Sequence, residues 1–282
     1  MLRNTTTAAV SAITAGAAMN ALADNTPSAS APINAGRIFR TVKWQMIRGK
    51  SVLDRFEAVK QAGMDGVELL SLGRVNMQEA LAASKKTGIP IHGTVHGKTA
   101  PDDLIKALIE CHQFGGNGVL VTTKNAKEAA HDVSRVVPVA AKLGVKVLFE
   151  NVWNGFGYNV GPKGDCSAEP FIKLIEAINS PWVGMYFDTG NIVRYGVAHK
   201  WARQLGPYIY KLDMKDYRRK PNKFGKAGFC YIDEGEVDWP RVTEALAEHG
   251  FAGWATAERM GGGGVEQLRD TAKRIDRVLN VV

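Results

Sequence analysis

The sequence predicts a (β/α)₈ barrel, in which eight parallel strands alternate with helices around one closed sheet. Two observations carry this prediction: short apolar, β-branched runs recur eight times, and helical periodicity fills the intervals between them. About 245 residues hold these units, a length typical of such a barrel. A doubly wound sheet rarely needs eight units, and no G-x-G-x-x-G motif follows the first strand.

The strand candidates are short runs rich in Val, Ile, Leu and aromatic residues, as expected for strands buried on both faces. They cover residues 41–47, 66–70, 90–95, 118–122, 145–149, 182–187, 208–214 and 253–257.

The helix candidates place apolar residues on one face with a period near 3.6. They cover residues 51–62, 101–114, 125–143, 167–179, 238–249 and 264–281. Glycines stand where a left-handed residue commonly ends a helix. These are Gly63, Gly88, Gly115, Gly144 and Gly250.

The N-terminal part of the chain reads as a leader and a linker. Residues 1–23 contain one Arg, a weakly apolar Ala/Thr run and an A-x-A cleavage pattern at 21–23. The weak apolar run suits twin-arginine export, and the missing Arg-Arg pair is explained if the true start lies upstream. We therefore expect an exported, periplasmic protein with a linker at 24–38 and the barrel at 39–282. If the leader does not function, the protein is cytoplasmic and this segment is a disordered Ala/Thr-rich tail.

Composition excludes several classes of protein. Hydrophobic residues make up 45% and charged residues 23%, so the chain is neither disordered nor, without a long apolar run, membrane-spanning. Three cysteines are too few for a disulfide framework. The formal charge is +8, and six Lys/Arg against one Asp fall between Lys215 and Lys226. With 8% aromatic residues, a nucleic-acid binder built on base stacking is disfavoured.

Acidic residues stand at the ends of four successive strand candidates. They are Glu150, Asp188, Asp213 and Glu258. In a barrel of this kind the carboxyl ends of the strands form the active-site mouth. Four converging carboxylates repel one another unless a cation holds them, and an all-oxygen set favours Mn²⁺ or Mg²⁺, with Zn²⁺ or Co²⁺ as alternatives. A single acid at a strand end more simply caps the next helix.

The surrounding motifs resemble those of the xylose isomerase-like TIM-barrel superfamily, in particular its sugar isomerase/epimerase branch with tagatose 3-epimerase and hydroxypyruvate isomerase. The resemblance covers about residues 40–280. It rests on E-N-V-W-N at 150–154, S-P-W-V-G-M-Y-F-D-T-G-N at 180–191, K-L-D-M-K-D-Y at 211–217, E-G-E-V-D-W-P at 234–240 and W-A-T-A-E at 254–258.

The resemblance implies a metal held by Glu150, Asp188, Asp213 and Glu258, with the two glutamates also moving protons. One departure stands out, because the third position is usually a His in an H-x-K-D context and here it is Asp213. An Asp binds metal through oxygen but adds negative charge, so either a harder ion is bound or binding is weak or lost. Lys215 is placed to offset this charge, and Lys211, assigned to the opposite strand face, less so.

The chemistry that this resemblance implies is isomerisation or epimerisation of a sugar or keto-sugar. A divalent ion stabilises the enediolate that forms when a proton beside a carbonyl is removed. One of the two carboxylates, Glu150 or Glu258, takes the proton and the other returns it. The partner is therefore a small sugar or sugar acid, and a homo-oligomer stays open.

Five residues are candidates for substrate contact, each with a plainer alternative. His96, near the end of the third strand, either contacts a substrate hydroxyl or is an ordinary hydrogen-bonding loop histidine. Trp153 either covers a sugar face or packs in the core. Asn191 holds a substrate oxygen or caps a helix. Lys215 and Arg219 in the basic segment recruit a polar or anionic substrate or lie on a solvated surface.

Three other functions compete with an isomerase. An endonuclease IV-like nuclease shares the barrel and a basic pI, but it needs a multi-metal site rich in His ligands, and this chain has Asp213 where even one His is expected. A keto-sugar lyase or dehydratase starts with the same proton abstraction. A non-catalytic sugar-binding barrel would carry a decayed metal site.

Overall fold

The computed structural model describes residues 37–152, 154, 156–158, 166–221, 226–258 and 263–280. Eight parallel strands in these ranges close into a barrel with helices between them, which confirms the predicted (β/α)₈ fold. The barrel strands are β1 Ile38–Lys43, β2 Gly66–Leu70, β3 Ile91–Val95, β4 Gly118–Val121, β5 Lys146–Glu150, β6 Val183–Asp188, β7 Ile209–Met214 and β10 Gly253–Ala257. The predicted leader and residues 24–36 of the linker lie outside the described residues.

Nine helices of the described chain connect the strands. They are α1 Val52–Gln61, α2 Met77–Thr87, α3 Pro101–Gln113, α4 Ala126–Leu143, α5 Glu169–Ile178, α6 Thr189–Val193, α7 Ala198–Leu205, α8 Trp239–Glu248 and α9 Val265–Leu279. Several begin with side-chain caps: Ser51 and Asp54 form a reciprocal capping box on α1, and Asn125 caps α4. Gly88 and Gly144 end α2 and α4 with φ of 76° and 66°, a left-handed conformation that glycine adopts without strain.

The predicted and observed elements differ in three places. Strand β1 begins at Ile38 and ends at Lys43, because Trp44–Met46 turns into a short 3₁₀ helix. Helices α2, α6 and α7 were not given bounds from the sequence. Helix α2 is built mostly from Ala, Lys and Ser and shows little apolar periodicity. The segment after β7 forms an antiparallel hairpin from β8 Asp216–Arg218 and β9 Gly228–Cys230.

The apolar core lies between the barrel and its helices. Trp201, Phe149 and Phe171 are completely buried there. The inside of the barrel is different, because polar side chains from β2, β3, β6, β7 and β10 fill its middle. They are Glu68, His92, Tyr186, Lys211 and Thr256, all buried. A buried polar layer of this kind is stable only where its members bond one another.

Lys211 is the cation of this interior layer. Its Nζ donates to the main-chain oxygen of His92 at 2.7 Å and lies 3.1 Å from His92 Nδ1. Gly93 leaves the necessary room, since a Cβ there would stand 2.7 Å from Lys211 Nζ. Burial lowers the pKa of Lys211 to about 8. Its assignment to the opposite strand face is therefore wrong: residues two apart on a strand share a face, and Lys211 and Asp213 both point inward.

The buried His92 predicts a specific pH dependence of stability. Burial and the charge of Lys211 lower its pKa well below 6.5, so the unfolded chain binds a proton that the folded chain refuses. The free energy of unfolding should therefore fall as the pH drops below about 6.5, by up to about 1.4 kcal/mol per pH unit from this group. Urea titrations between pH 5 and 8 measure this slope.

The His92→Gln variant should lose that contribution to the slope, whatever its absolute stability. His131→Gln, at an exposed histidine of α4, is the control and should keep the wild-type slope. Equal slopes for the wild type and His92→Gln would contradict the assignment.

Candidate metal centre

The four predicted carboxylates lie together at the carboxyl-terminal mouth of the barrel. Glu150 ends β5, Asp188 ends β6, Asp213 lies in β7, and Glu258 follows β10. These strands are consecutive neighbours in the barrel, so the acids form one arc with the two aspartates in its middle. One oxygen of each lies within 4.8 Å of the others. The convergence was expected from the strand ends, while the roles of the four residues remain predictions.

Asp188 is held by hydrogen bonds from the start of the next helix and by a side chain at the end of the neighbouring strand. Its Oδ1 accepts hydrogen bonds from the backbone N–H groups of Gly190 and Asn191, at 2.9 and 2.7 Å, and so caps α6. Asn151, just after β5, accepts from Asp188 N at 2.7 Å and donates to Asp188 O at 2.9 Å. The capping alternative is thus correct for one oxygen, and the second oxygen, Oδ2, faces the acidic cluster.

Asn191 also joins two of the acids. Its side-chain Nδ2 donates to Glu150 Oε1 at 3.1 Å, while its backbone N–H binds Asp188. The start of α6 therefore fixes Glu150 relative to Asp188.

Two buried lysines enter the acidic cluster. Lys43, the last residue of β1, contacts Asp213 Oδ2 through its Nζ, which lies 3.6 Å from Glu258 Oε2. Lys215 Nζ contacts Glu258 Oε2 and lies 2.9 Å from Asp188 Oδ2. Lys215 was expected to offset charge here. Lys43 was not predicted, because the first strand was expected to run from residue 41 to 47, which placed this lysine inside the strand and not at its end.

Burial and mutual repulsion govern the protonation of the cluster. Burial raises the pKa of Asp188 to about 7 against the opposing charge of Lys215. Burial and the charge of Glu258 also raise the pKa of Asp213, and Lys43 opposes this. Burial raises the pKa of Glu258 too, but Lys43 and Lys215 outweigh it and hold this pKa at about 2. The ionised forms of Asp188 and Asp213 are therefore destabilised in this cluster, and a bound cation would stabilise them.

The residues present fit a hard divalent cation. Four carboxylates and two ammonium groups leave a formal charge of −2 on the cluster. The buried Asp213 Oδ1 has no hydrogen-bond partner among the residues that the structure describes. The donors are all oxygens, which Mg²⁺ and Mn²⁺ prefer to softer ligands.

The candidate substrate contacts are placed as follows. His96 is buried, its Nδ1 lies 3.1 Å from Ser71 Oγ, and its Nε2 has no partner within the described chain. Lys215 and Asn191 belong to the acidic cluster itself. Trp153 lies outside the described residues. Contact of His96, Asn191 or Lys215 with a substrate stays a prediction.

Arg219 holds the loop that follows α6. Its Nε donates to Val193 O at 2.6 Å and its Nη2 to Gly196 O at 3.0 Å. Its guanidinium thus fixes the segment after β8 against the end of α6. A direct contact with substrate, which the basic segment suggested, stays a prediction for this residue.

A family model described as "xylose isomerase-like TIM barrel" matches residues 56–278. The chain belongs to this family. A comparison with curated proteins finds no match. None of the helices in the described ranges combines the length with the apolar character that a membrane span requires.

Solved structures with this fold include two sugar epimerases. A D-allulose 3-epimerase from Methylomonas sp. is 14% identical, with a TM-score of 0.69, over 88% of this chain and 99% of that one. A 3-keto-D-glucoside 4-epimerase from E. coli is 16% identical, with a TM-score of 0.64, over 86% and 100%. A fusion of a xylose isomerase-like barrel with a 4-hydroxyphenylpyruvate dioxygenase is 16% identical, with a TM-score of 0.69, over 86% of this chain and 43% of that one.

The bracing of Asp188 by Asn151 predicts a measurable loss of stability. Asn151→Ala removes two buried hydrogen bonds that join β5 to β6, which should lower the free energy of unfolding by about 1–3 kcal/mol. Chemical denaturation measures the change. Asn154→Ala, at an exposed position three residues on, is the control and should stay within about 0.5 kcal/mol of the wild type. Equal losses for the two variants would contradict the bracing role.

Proposed function

We propose that this protein is a divalent-metal-dependent isomerase or epimerase that acts on a sugar or keto-sugar. The observation that carries the proposal is the arc of four carboxylates at the barrel mouth, with a glutamate at each end and two aspartates between them. The family and the two epimerase structures of the same fold support the same class of reaction.

Glu150, Asp188, Asp213 and Glu258 would hold the ion. When bound, the divalent ion supplies Lewis-acid polarisation of the substrate carbonyl. The chain's own residues move the proton: one glutamate takes it from the carbon beside the carbonyl, and the other returns it. Lys43 and Lys215 keep Glu258 ionised, because its pKa lies near 2, and Asn191 orients Glu150. A lyase or dehydratase would share the first step and differ in the product.

Export is part of the proposal on the sequence evidence alone. If residues 1–23 are removed during export, a free sugar or sugar acid becomes the natural substrate, since phosphosugars are cytoplasmic metabolites. The mass of the mature protein from an exporting host tests this directly. An intact Met1 in the exported fraction would refute cleavage.

Metal binding should appear as a thermal shift. Protein stripped with EDTA should gain stability on addition of Mn²⁺ or Mg²⁺, by about 2.7 kcal/mol at a free concentration one hundred times the dissociation constant. Asp188→Asn removes a charge from the centre and should reduce the shift. Differential scanning fluorimetry and elemental analysis measure the two effects. No shift with either ion would favour a decayed site.

Proton transfer by the glutamates has a direct test. Glu150→Gln and Glu258→Gln keep the shape of the side chain, but an amide cannot accept a proton at neutral pH. Each should reduce deuterium wash-in at the carbon beside the carbonyl by about 10²–10⁴-fold, with a smaller effect on substrate binding. A panel of ketohexoses and 3-keto-glucosides in D₂O, followed by NMR, provides the assay.

Glu128→Gln, at an exposed glutamate in the first turn of α4, is the control and should leave exchange unchanged. Near-normal exchange in both active-site variants would refute the two-glutamate mechanism. Wash-in accompanied by a product 18 mass units lighter, the loss of one water, would instead identify a dehydratase.

A further inference from the structure

Lys43 belongs to the acidic cluster, but none of the sequence motifs gives it a role. It ends β1, which pairs with β10 on one side and β2 on the other. Its side chain is only 5% exposed, and its Nζ contacts Asp213 Oδ2 and lies 3.6 Å from Glu258 Oε2. The ammonium therefore stands inside the acidic arc, fixed by a strand of the barrel.

The carboxylate that Lys43 contacts, Asp213, lies where its negative charge needs a positive partner. Asp213 is completely buried, and it is the register partner of Asp188 on β6. It also faces Glu258, whose negative charge raises the pKa of Asp213 further. A buried carboxylate beside two others is costly unless a positive group compensates it.

We infer that Lys43 determines the charge, and with it the ion preference, of the proposed metal centre. The inference rests on the proposed metal-dependent function. The ammonium cancels the charge of Asp213, so that the pair offers an oxygen donor without adding net charge. With all four carboxylates ionised, as they are when they bind a metal, the whole cluster then carries a formal charge of −2, which one divalent ion neutralises. Without Lys43 the same donors carry −3 and suit a trivalent ion better.

The charge argument makes a prediction that a merely structural role would not make. The Coulomb energy between two groups scales with the product of their charges. Removing the positive charge of Lys43 should therefore strengthen the binding of a trivalent ion more than that of a divalent ion. If Lys43 only fills space or orders the strand end, its loss should affect both ions alike.

The test is isothermal titration calorimetry on the full chain, stripped of metal, with Mn²⁺ and Tb³⁺ as the probes. Lys43→Met should tighten Mn²⁺ about tenfold or more and Tb³⁺ by a larger factor. Lys43→Arg keeps the charge and should stay close to the wild type for both ions. Lys98→Met, at an exposed lysine in the loop after β3, is the matched control and should leave both affinities unchanged.

A paired variant keeps the inference testable if Lys43→Met alone does not fold. Asp213→Asn leaves Lys43 without its carboxylate and should weaken Mn²⁺ about tenfold or more. Adding Lys43→Met to it restores the formal charge of −2 and should return the Mn²⁺ affinity to within about threefold of the wild type. Equal weakness of Asp213→Asn and the double variant would overturn the inference.

The outcomes separate the two proposals. If the Lys43→Met variant shows unchanged affinities, or an equal gain for both ions, the role of Lys43 is overturned. The proposed metal centre is still supported in that case if the wild-type chain binds metal normally. A wild-type chain that binds neither Mn²⁺ nor Tb³⁺ overturns both.

Discussion

The convergence of four carboxylates, three of them buried, within 4.8 Å of one another is the constraint on which the rest of the site depends. Like charges in a poorly polarisable interior repel strongly, so such a group survives only where cations stand among it. Lys43 and Lys215 supply part of that compensation from two different places, the end of β1 and the segment after β7. The remaining formal charge of −2 is what makes the cluster a candidate metal centre and not only an ion-pair network.

Two asparagine side chains above the polar interior of the barrel keep these charges in position. Lys211 lies in the middle of the barrel, two residues before Asp213 on the same face of β7, and is held by the carbonyl oxygen of His92. Above it, Asn151 and Asn191 tie the ends of β5 and β6 together through Asp188 and Glu150. Two side-chain amides and the start of α6 thus hold the carboxylate oxygens in fixed positions. A functional site of this kind needs such fixed positions before its ligand binds.

The fold and the positions of the four acids could be predicted from the sequence, because both depend on short-range patterns of residues. Buried parallel strands are continuous apolar runs, and an acid at the end of such a run is placed at the mouth by the topology alone. Lys43 was out of reach for that reasoning, since its role depends on β1 closing the barrel against β10, far away along the chain. Strand β1 ends at Lys43 because a 3₁₀ helix begins at Trp44, and no glycine or proline in the sequence marks that end.

The departure at position 213 from the histidine that the resemblance implied has a physical explanation in this pairing. An aspartate there adds a negative charge to three others, and a buried charge left unpaired typically costs several kcal/mol. Lys43 removes that cost by direct contact with Asp213. The two positions are therefore energetically coupled, because changing either one alone leaves a buried charge without its partner. A histidine at 213 would remove the carboxylate that Lys43 contacts and leave the ammonium only its longer approach of 3.6 Å to Glu258 Oε2, so the aspartate and the lysine act as one pair.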